Sequence, residues 1–167
     1  MEYQDPVAAS GKVGRVLVVD DVAVVRRSIR MILTNAGYEV VEAEDGDQAI
    51  EILQVSESPR PVDAILSDLR MPQINGVELI AYFRTRYPAI PVVTLTVYTD
   101  VELAVSLMRK GAMDFLVKPV LQDELLEVIR RAVAQNTALN ERIISYKELR
   151  QGAGNEFGKS AGGGRRS

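Results

Sequence analysis

The stretch AILSDLRMPQINGVELI, residues 64–80, runs from an apolar segment into a carboxylate, Asp68, then through Arg70 and Met71-Pro72 to Gly76, after which helical spacing begins. It reads as a buried strand that ends in a loop and turns into a helix. An ionisable group at the end of such a strand costs desolvation energy unless partners offset it. The partners of Asp68 must therefore come from elsewhere in the chain.

Four further strand-length runs, rich in β-branched and aliphatic residues, surround this one: RVLVVD (15–20), YEVVEA (38–43), IPVVTLT (90–96) and DFLVK (114–118), with VDAILS (62–67) as the third in chain order. Between them apolar residues recur three and four apart. Val25, Ile29, Ile32, Leu33 and Ala36 form one stripe, stopped by residues 35–37. Ala49, Ile50 and Leu53 form a second, Val77, Ile80 and Phe83 a third, and Val101, Ala104, Val105 and Met108 a fourth before Gly111. Leu125, Leu126, Ile129 and Val133 open a fifth. Strict β-α alternation, with strands too continuously apolar to be one-sided, predicts an α/β fold: a doubly wound parallel sheet of five strands with helices on both faces.

Composition narrows the chemistry. The 167 residues, 47% hydrophobic, suffice for one domain with a core and an appendage. With neither cysteine nor histidine, a thiolate metal site, a disulfide and an imidazole base are all excluded. A net charge of -3 argues against direct nucleic-acid binding and against an anionic membrane as partner. No apolar run approaches the roughly 20 residues that span a bilayer, and a cytoplasmic location is expected.

In open parallel sheets, ligands bind beyond the carboxyl ends of the strands. There the sequence places Asp20 and Asp21 after the first strand, Asp68 after the third, Thr96 after the fourth and Lys118 after the fifth. Three neighbouring carboxylates repel one another unless a cation intervenes. Oxygen-only ligation points to Mg²⁺, with Asp21 and Asp68 as direct ligands, a backbone carbonyl from the loop after Asp68, and Asp20 acting through water. Asp68 is suited to accept a phosphoryl group as an aspartyl phosphate. Lys118 would offset charge on the phosphoryl oxygens and Thr96 would hydrogen-bond them.

The set VVDD, SDLRMPQINGVEL, LTV and FLVKP, in this order and spacing, resembles the receiver domain of two-component response regulators, the CheY-like family, over residues 14–134. The resemblance implies a flavodoxin-like sheet of order 2-1-3-4-5. It implies Asp68 as phosphoacceptor, Asp20 and Asp21 as the acidic pair, Arg70 as the source of the backbone carbonyl to Mg²⁺, and Lys118 as the family's lysine. It further implies Thr96 and Phe115 as the switch pair, a cis bond before Pro119, and a histidine kinase or phosphotransfer protein as partner. Two positions depart from the pattern: Val97 stands where alanine is common, narrowing the entrance, and Phe115 lacks the tyrosine hydroxyl. Bulky Tyr98 is expected to shield the acyl phosphate from water.

The fifth helical pattern continues past the end of such a domain. Ile129, Asn136 and Ile143 occupy a positions of a heptad seam, and Leu125, Ala132, Leu139 and Tyr146 occupy d positions. Ile at a with Leu at d favours two parallel strands, and a buried Asn at a sets register. A homodimer seam through Ile129, Asn136, Leu139, Ile143 and Tyr146 is expected. The predicted organisation is a flexible arm over 1–14, a receiver domain over 15–134, a helical coiled-coil linker over 135–150 and a disordered glycine-rich tail over 151–167. The expected function is a phosphorylated switch, non-enzymatic beyond phosphotransfer to itself and slow autodephosphorylation, forming the regulatory part of a longer protein whose output domain lies outside the chain. The alternatives are a stand-alone regulator, or a Mg²⁺-dependent phosphohydrolase. The second would need an acid two residues after the nucleophile, where Arg70 stands.

Overall fold

The computed structural model describes residues 13–55, 61–71 and 75–160, with the side chains of Tyr98, Asn140 and 153–160 outside the description. Five strands alternate with five helices: β1 (Arg15–Val19), α1 (Ala23–Asn35), β2 (Glu39–Ala43), α2 (Gly46–Val55), β3 (Ala64–Asp68), α3 (Gly76–Arg86), β4 (Val92–Thr96), α4 (Val101–Arg109), β5 (Asp114–Val117) and α5 (Gln122–Ser160). The sheet is parallel throughout, in the order β2-β1-β3-β4-β5. This is the order implied by the resemblance, and each strand lies within two residues of its predicted run.

Successive strand residues point to opposite faces, and the core divides accordingly. Val16 and Val18 of β1 pack with Ala64, Leu66, Val93 and Leu95 beneath α1 and α5. Leu17 and Val19 pack with Ile65, Val92, Leu79, Phe83 and Leu107 beneath α2, α3 and α4. A strand buried on both sides can carry no polar residue along its length without cost, so the charged groups are displaced to the strand ends.

Two glycines fix geometry. Gly37 adopts φ 98° and ends α1, with the Gly37 N–H donating to Thr34 O at 3.1 Å and that of Tyr38 to Leu33 O at 3.0 Å. Gly76 does something different: a Cβ there would lie 2.2 Å from Leu69 O and 2.6 Å from Leu69 C. The first turn of α3 thus lies directly on the backbone that follows Asp68. Asn75 caps α3, accepting from Val77 N at 3.0 Å. Pro72, which follows Met71 in the sequence, lies outside the described residues.

The ends of the chain differ from expectation. Most of the predicted arm, residues 1–12, lies outside the description, but its last two residues are tied to the domain, with the Val13 N–H donating to Gly37 O at 3.1 Å and Gly14 O accepting from Glu39 N at 2.8 Å. Helix α5 does not stop at Arg150; it continues as one helix of 39 residues to Ser160. Glycines at 152, 154 and 158 each cost about 1 kcal/mol relative to alanine, yet unlike proline they retain the N–H that the helix needs, so it propagates through them. Residues 161–167 are outside the description.

The heptad seam needs a larger correction. Ile129 is 0% exposed and packs with Leu125, Val128, Ala132 and Val133 against the sheet. Asn136, 4% exposed, donates from Nδ2 to Asp63 O at 3.1 Å. The first half of the predicted seam is therefore the domain's own core. Leu and Ile three and four apart satisfy a helix-on-sheet contact as well as a coiled coil, and the sheet, being the same chain, takes precedence. Leu139, Ile143 and Tyr146 remain exposed on the part of α5 beyond the domain.

Candidate functional site

The carboxyl ends of β1, β3, β4 and β5 meet on one rim. Asp20 leaves β1 fully buried, and its two oxygens have separate duties. Oδ1 accepts from Val22 N at 2.8 Å, fixing the entry to α1, while Oδ2 faces the Lys118 ammonium at 2.9 Å as an ion pair without hydrogen-bond alignment. Arg26 steadies this turn by donating to Asp20 O at 2.7 Å. Asp21 is exposed beside it.

Asp68 is the last residue of β3 and 5% exposed. Its Oδ2 accepts from Lys118 Nζ at 2.9 Å and its Oδ1 from Arg70 N at 3.1 Å. Burial pushes the Asp68 carboxyl above its ordinary range, beyond what the hydrogen bonds from Lys118 and from the Arg70 backbone recover. For Lys118 the balance goes the other way: burial alone would lower its pKa, but the hydrogen bond to Asp68 and the nearby charges of Asp68 and Asp20 leave it raised. Lys118 is thus held as a cation between two carboxylates. It follows β5, and the Lys118-Pro119 bond is cis, as the resemblance implies.

Thr96, 1% exposed at the end of β4, donates from Oγ1 to Val97 O at 3.2 Å, so its hydroxyl is engaged within its own loop. Phe115 is partly buried against the α2–α4 side of the core. Val97 is exposed at the rim, and the Tyr98 side chain is outside the description.

Asp20, Asp21 and Asp68 each offer an oxygen within 4.8 Å of the other two. Three carboxylates face one ammonium, leaving an excess of two negative charges at an all-oxygen site. That donor set fits a hard divalent cation such as Mg²⁺. Asp21, Arg70, Met71 and Asn75 line an open depression on the solvent side of these carboxylates.

One feature escaped the sequence. Arg70 folds across to Asp100, donating from Nη2 to Oδ1 at 2.7 Å and from Nε to Oδ2, a bidentate pair that ties the loop after β3 to the start of α4. The residues are 30 apart, and nothing in either local pattern announces the pairing. The predicted role of Arg70 used only its backbone.

The strand order and the charged rim together place the fold in the doubly wound receiver class. The chain belongs to the response regulator receiver domain family, which residues 16–130 match. It is 36% identical over 154 residues to the C4-dicarboxylate transport transcriptional regulatory protein DctD of Pseudomonas aeruginosa, covering 89% of this chain and 32% of that protein. It is 36% identical over 121 residues to the DNA-binding transcriptional regulator NtrC of Escherichia coli, covering 72% of this chain and 25% of that one. The chain thus spans a third or less of these relatives. Among solved structures, a receiver domain protein from Clostridium thermocellum superposes with a TM-score of 0.71 at 26% identity, over 76% of this chain and 99% of that one. The role is one of signalling. Among the described residues no helix is long and apolar enough to cross a membrane.

Proposed function

We propose that Asp68 is the phosphoacceptor of this receiver domain, and that its modification resets the surface around α4, β5 and α5. The observation that carries this reading is the state of Asp68 itself: a buried carboxylate oriented through both oxygens, beside two more carboxylates and a lysine held cationic. In the transfer, the bond from phosphorus to the donor's histidine nitrogen breaks as a bond to an Asp68 carboxylate oxygen forms. The electron pair leaves with the donor imidazole, which takes up a proton from solvent.

Asp21, Asp68 and the backbone carbonyl of Arg70 would hold Mg²⁺, with Asp20 acting through water. The bound cation supplies charge neutralisation for the phosphoryl oxygens. Lys118 contributes the second positive charge, from a position already fixed by Asp20. Thr96 gives up its bond to Val97 O for one to the phosphoryl group, and Phe115 turns into the volume thus vacated. Hydrolysis of the acyl phosphate is slow, since Arg70 stands where a hydrolase would place its second acid. The chain acts as the regulatory part of a longer cytoplasmic protein, and pairs with a second copy through Leu139, Ile143 and Tyr146.

Intact mass after incubation with Mg²⁺ and a small phosphodonor tests the core of this reading. One added phosphoryl group, not formed when Mg²⁺ is chelated before the donor is added and absent in Asp68→Asn, is the expected result. An unchanged mass, or an addition that survives in Asp68→Asn, would overturn it.

A further inference from the structure

Asp100 occupies the position where a carboxylate would cap α4, and aspartate is among the residues that cap best. Its side chain nevertheless makes no capping bond. Both oxygens are committed to the Arg70 guanidinium, and the hydrogen bond from Arg70 holds the Asp100 carboxyl below the usual carboxylate range. The first turn of α4, which follows directly on a 3-10 turn over Tyr98–Asp100, therefore has no bond from the one capping side chain that its sequence places there.

Arg70, for its part, stands two residues from Asp68, and its backbone N–H donates to the Asp68 carboxylate. Its guanidinium already feels that carboxylate, whose charge adds to that of Asp100 in stabilising the cation. A phosphoryl group on Asp68 would place a second negative charge and three more acceptor oxygens on this side of Arg70. Guanidinium binds phosphate in the same two-pronged manner as carboxylate.

We infer that Arg70 and Asp100 form an exchange latch: the phosphoryl group on Asp68 draws the Arg70 guanidinium from Asp100, and the released carboxylate caps α4. The inference rests on Asp68 being the phosphoacceptor. It makes Asp100 a positioning residue with two alternative partners, one in the loop after β3 and one in the backbone of α4. The route to α4 runs through the Arg70–Asp100 pair rather than through the Thr96 hydroxyl, which bonds to Val97 O. The two states differ in a local, countable way: amides in the first turn of α4, at Glu102 and Leu103, are uncapped in one and capped in the other.

The test is residue-resolved amide exchange on the full chain, with added phosphate followed by intact mass on the same samples. In the parent protein, phosphorylation slows exchange at Glu102 or Leu103 by about fivefold, the worth of a cap. Asp100→Asn, which keeps the cap and loses the ion pair, shows that protection before phosphorylation. Asp100→Ala, which has neither, shows it in neither state. Unchanged exchange in β1 and β3 verifies that each variant is folded. Phosphorylated parent protein with no gain at either amide, or Asp100→Asn indistinguishable from unphosphorylated parent, would overturn the latch. A mass showing no added phosphoryl group overturns the phosphoacceptor reading instead. The comparison of Asp100→Asn with parent needs no phosphate and still decides whether Arg70 withholds the cap.

Discussion

Asp68 shows how a single residue can be both conspicuous in sequence and costly in structure. A charge that ends a run of buried aliphatics stands out because nothing else in the strand is ionisable, and the same argument picked out Asp20 and Lys118. The cost is visible in its raised pKa, caused first by burial. A carboxyl with a raised pKa in the fold binds protons more readily folded than unfolded, so metal-free protein loses stability as pH climbs from the ordinary carboxylate value through the raised one. Asp68→Asn removes the charge and keeps one acceptor oxygen, which serves Lys118 or Arg70 N but not both. With chelator at neutral pH it should melt a few degrees above the parent, on the order of 1 kcal/mol more stable, and should lack that limb of the pH profile. Adding Mg²⁺ in excess should raise the parent's melting temperature and move the variant little. Thermal unfolding across pH checks both statements; a variant that melts lower in chelator would show that the charge is stabilising. The Arg70–Asp100 pair, by contrast, was not legible at this scale. It depends on the relative position of two loops, and each residue alone reads as a solvated charge.

At the scale of elements, periodicity gave helices and strands with good boundaries because each apolar stripe faces a sheet that is itself apolar. It failed to distinguish what α5 packs against. Asn136 is the informative case. At an a position of a coiled coil, a leucine in its place would tighten a dimer. In the structure it links α5 to Asp63, whose Oδ2 also accepts from Arg15 N at 2.8 Å, so the amide joins the helix to the amino ends of β1 and β3. Asn136→Leu is therefore expected to lower stability by about 1–2 kcal/mol in denaturant unfolding and to leave self-association unstrengthened. A tighter dimer would restore the coiled-coil reading of this position. Gly76 makes the complementary point about loops. The sequence marked it as the residue that lets α3 begin, but its need arises from Leu69 rather than from an unusual φ. Gly76→Ala would force α3 off the backbone next to Asp68, at a cost of at least about 2–3 kcal/mol, and should slow phosphorylation by a small donor. An alanine variant of parental stability would mean that α3 shifts freely.

For the whole molecule, the question is what keeps α5 helical once it has left the domain. A helix of 39 residues is about 58 Å long, and only its part up to about Asn136 is backed by the sheet. Beyond that point Leu139, Ile143, Tyr146 and Leu149 are exposed, Tyr146 by 63% and Leu149 by 73%. A free helical segment of this length, with glycines in its last turns, is marginal in water. Burying the residues at 139, 143 and 146 against a second copy would supply the missing stabilisation, and the four-three spacing of those residues is what a two-stranded seam requires. The packing of Leu125, Ile129 and Ala132 into the domain shortens that seam, so association should be weak and concentration-dependent. Ile143→Glu places like charges face to face at its centre. Sedimentation of the parent is expected to show a monomer-dimer equilibrium, with helicity rising as the dimer fills, while Ile143→Glu stays monomeric and loses helical signal from the extension alone. If parent and variant sediment identically and have equal helicity at every concentration, the extension is stable without a partner and the second copy has no part in it.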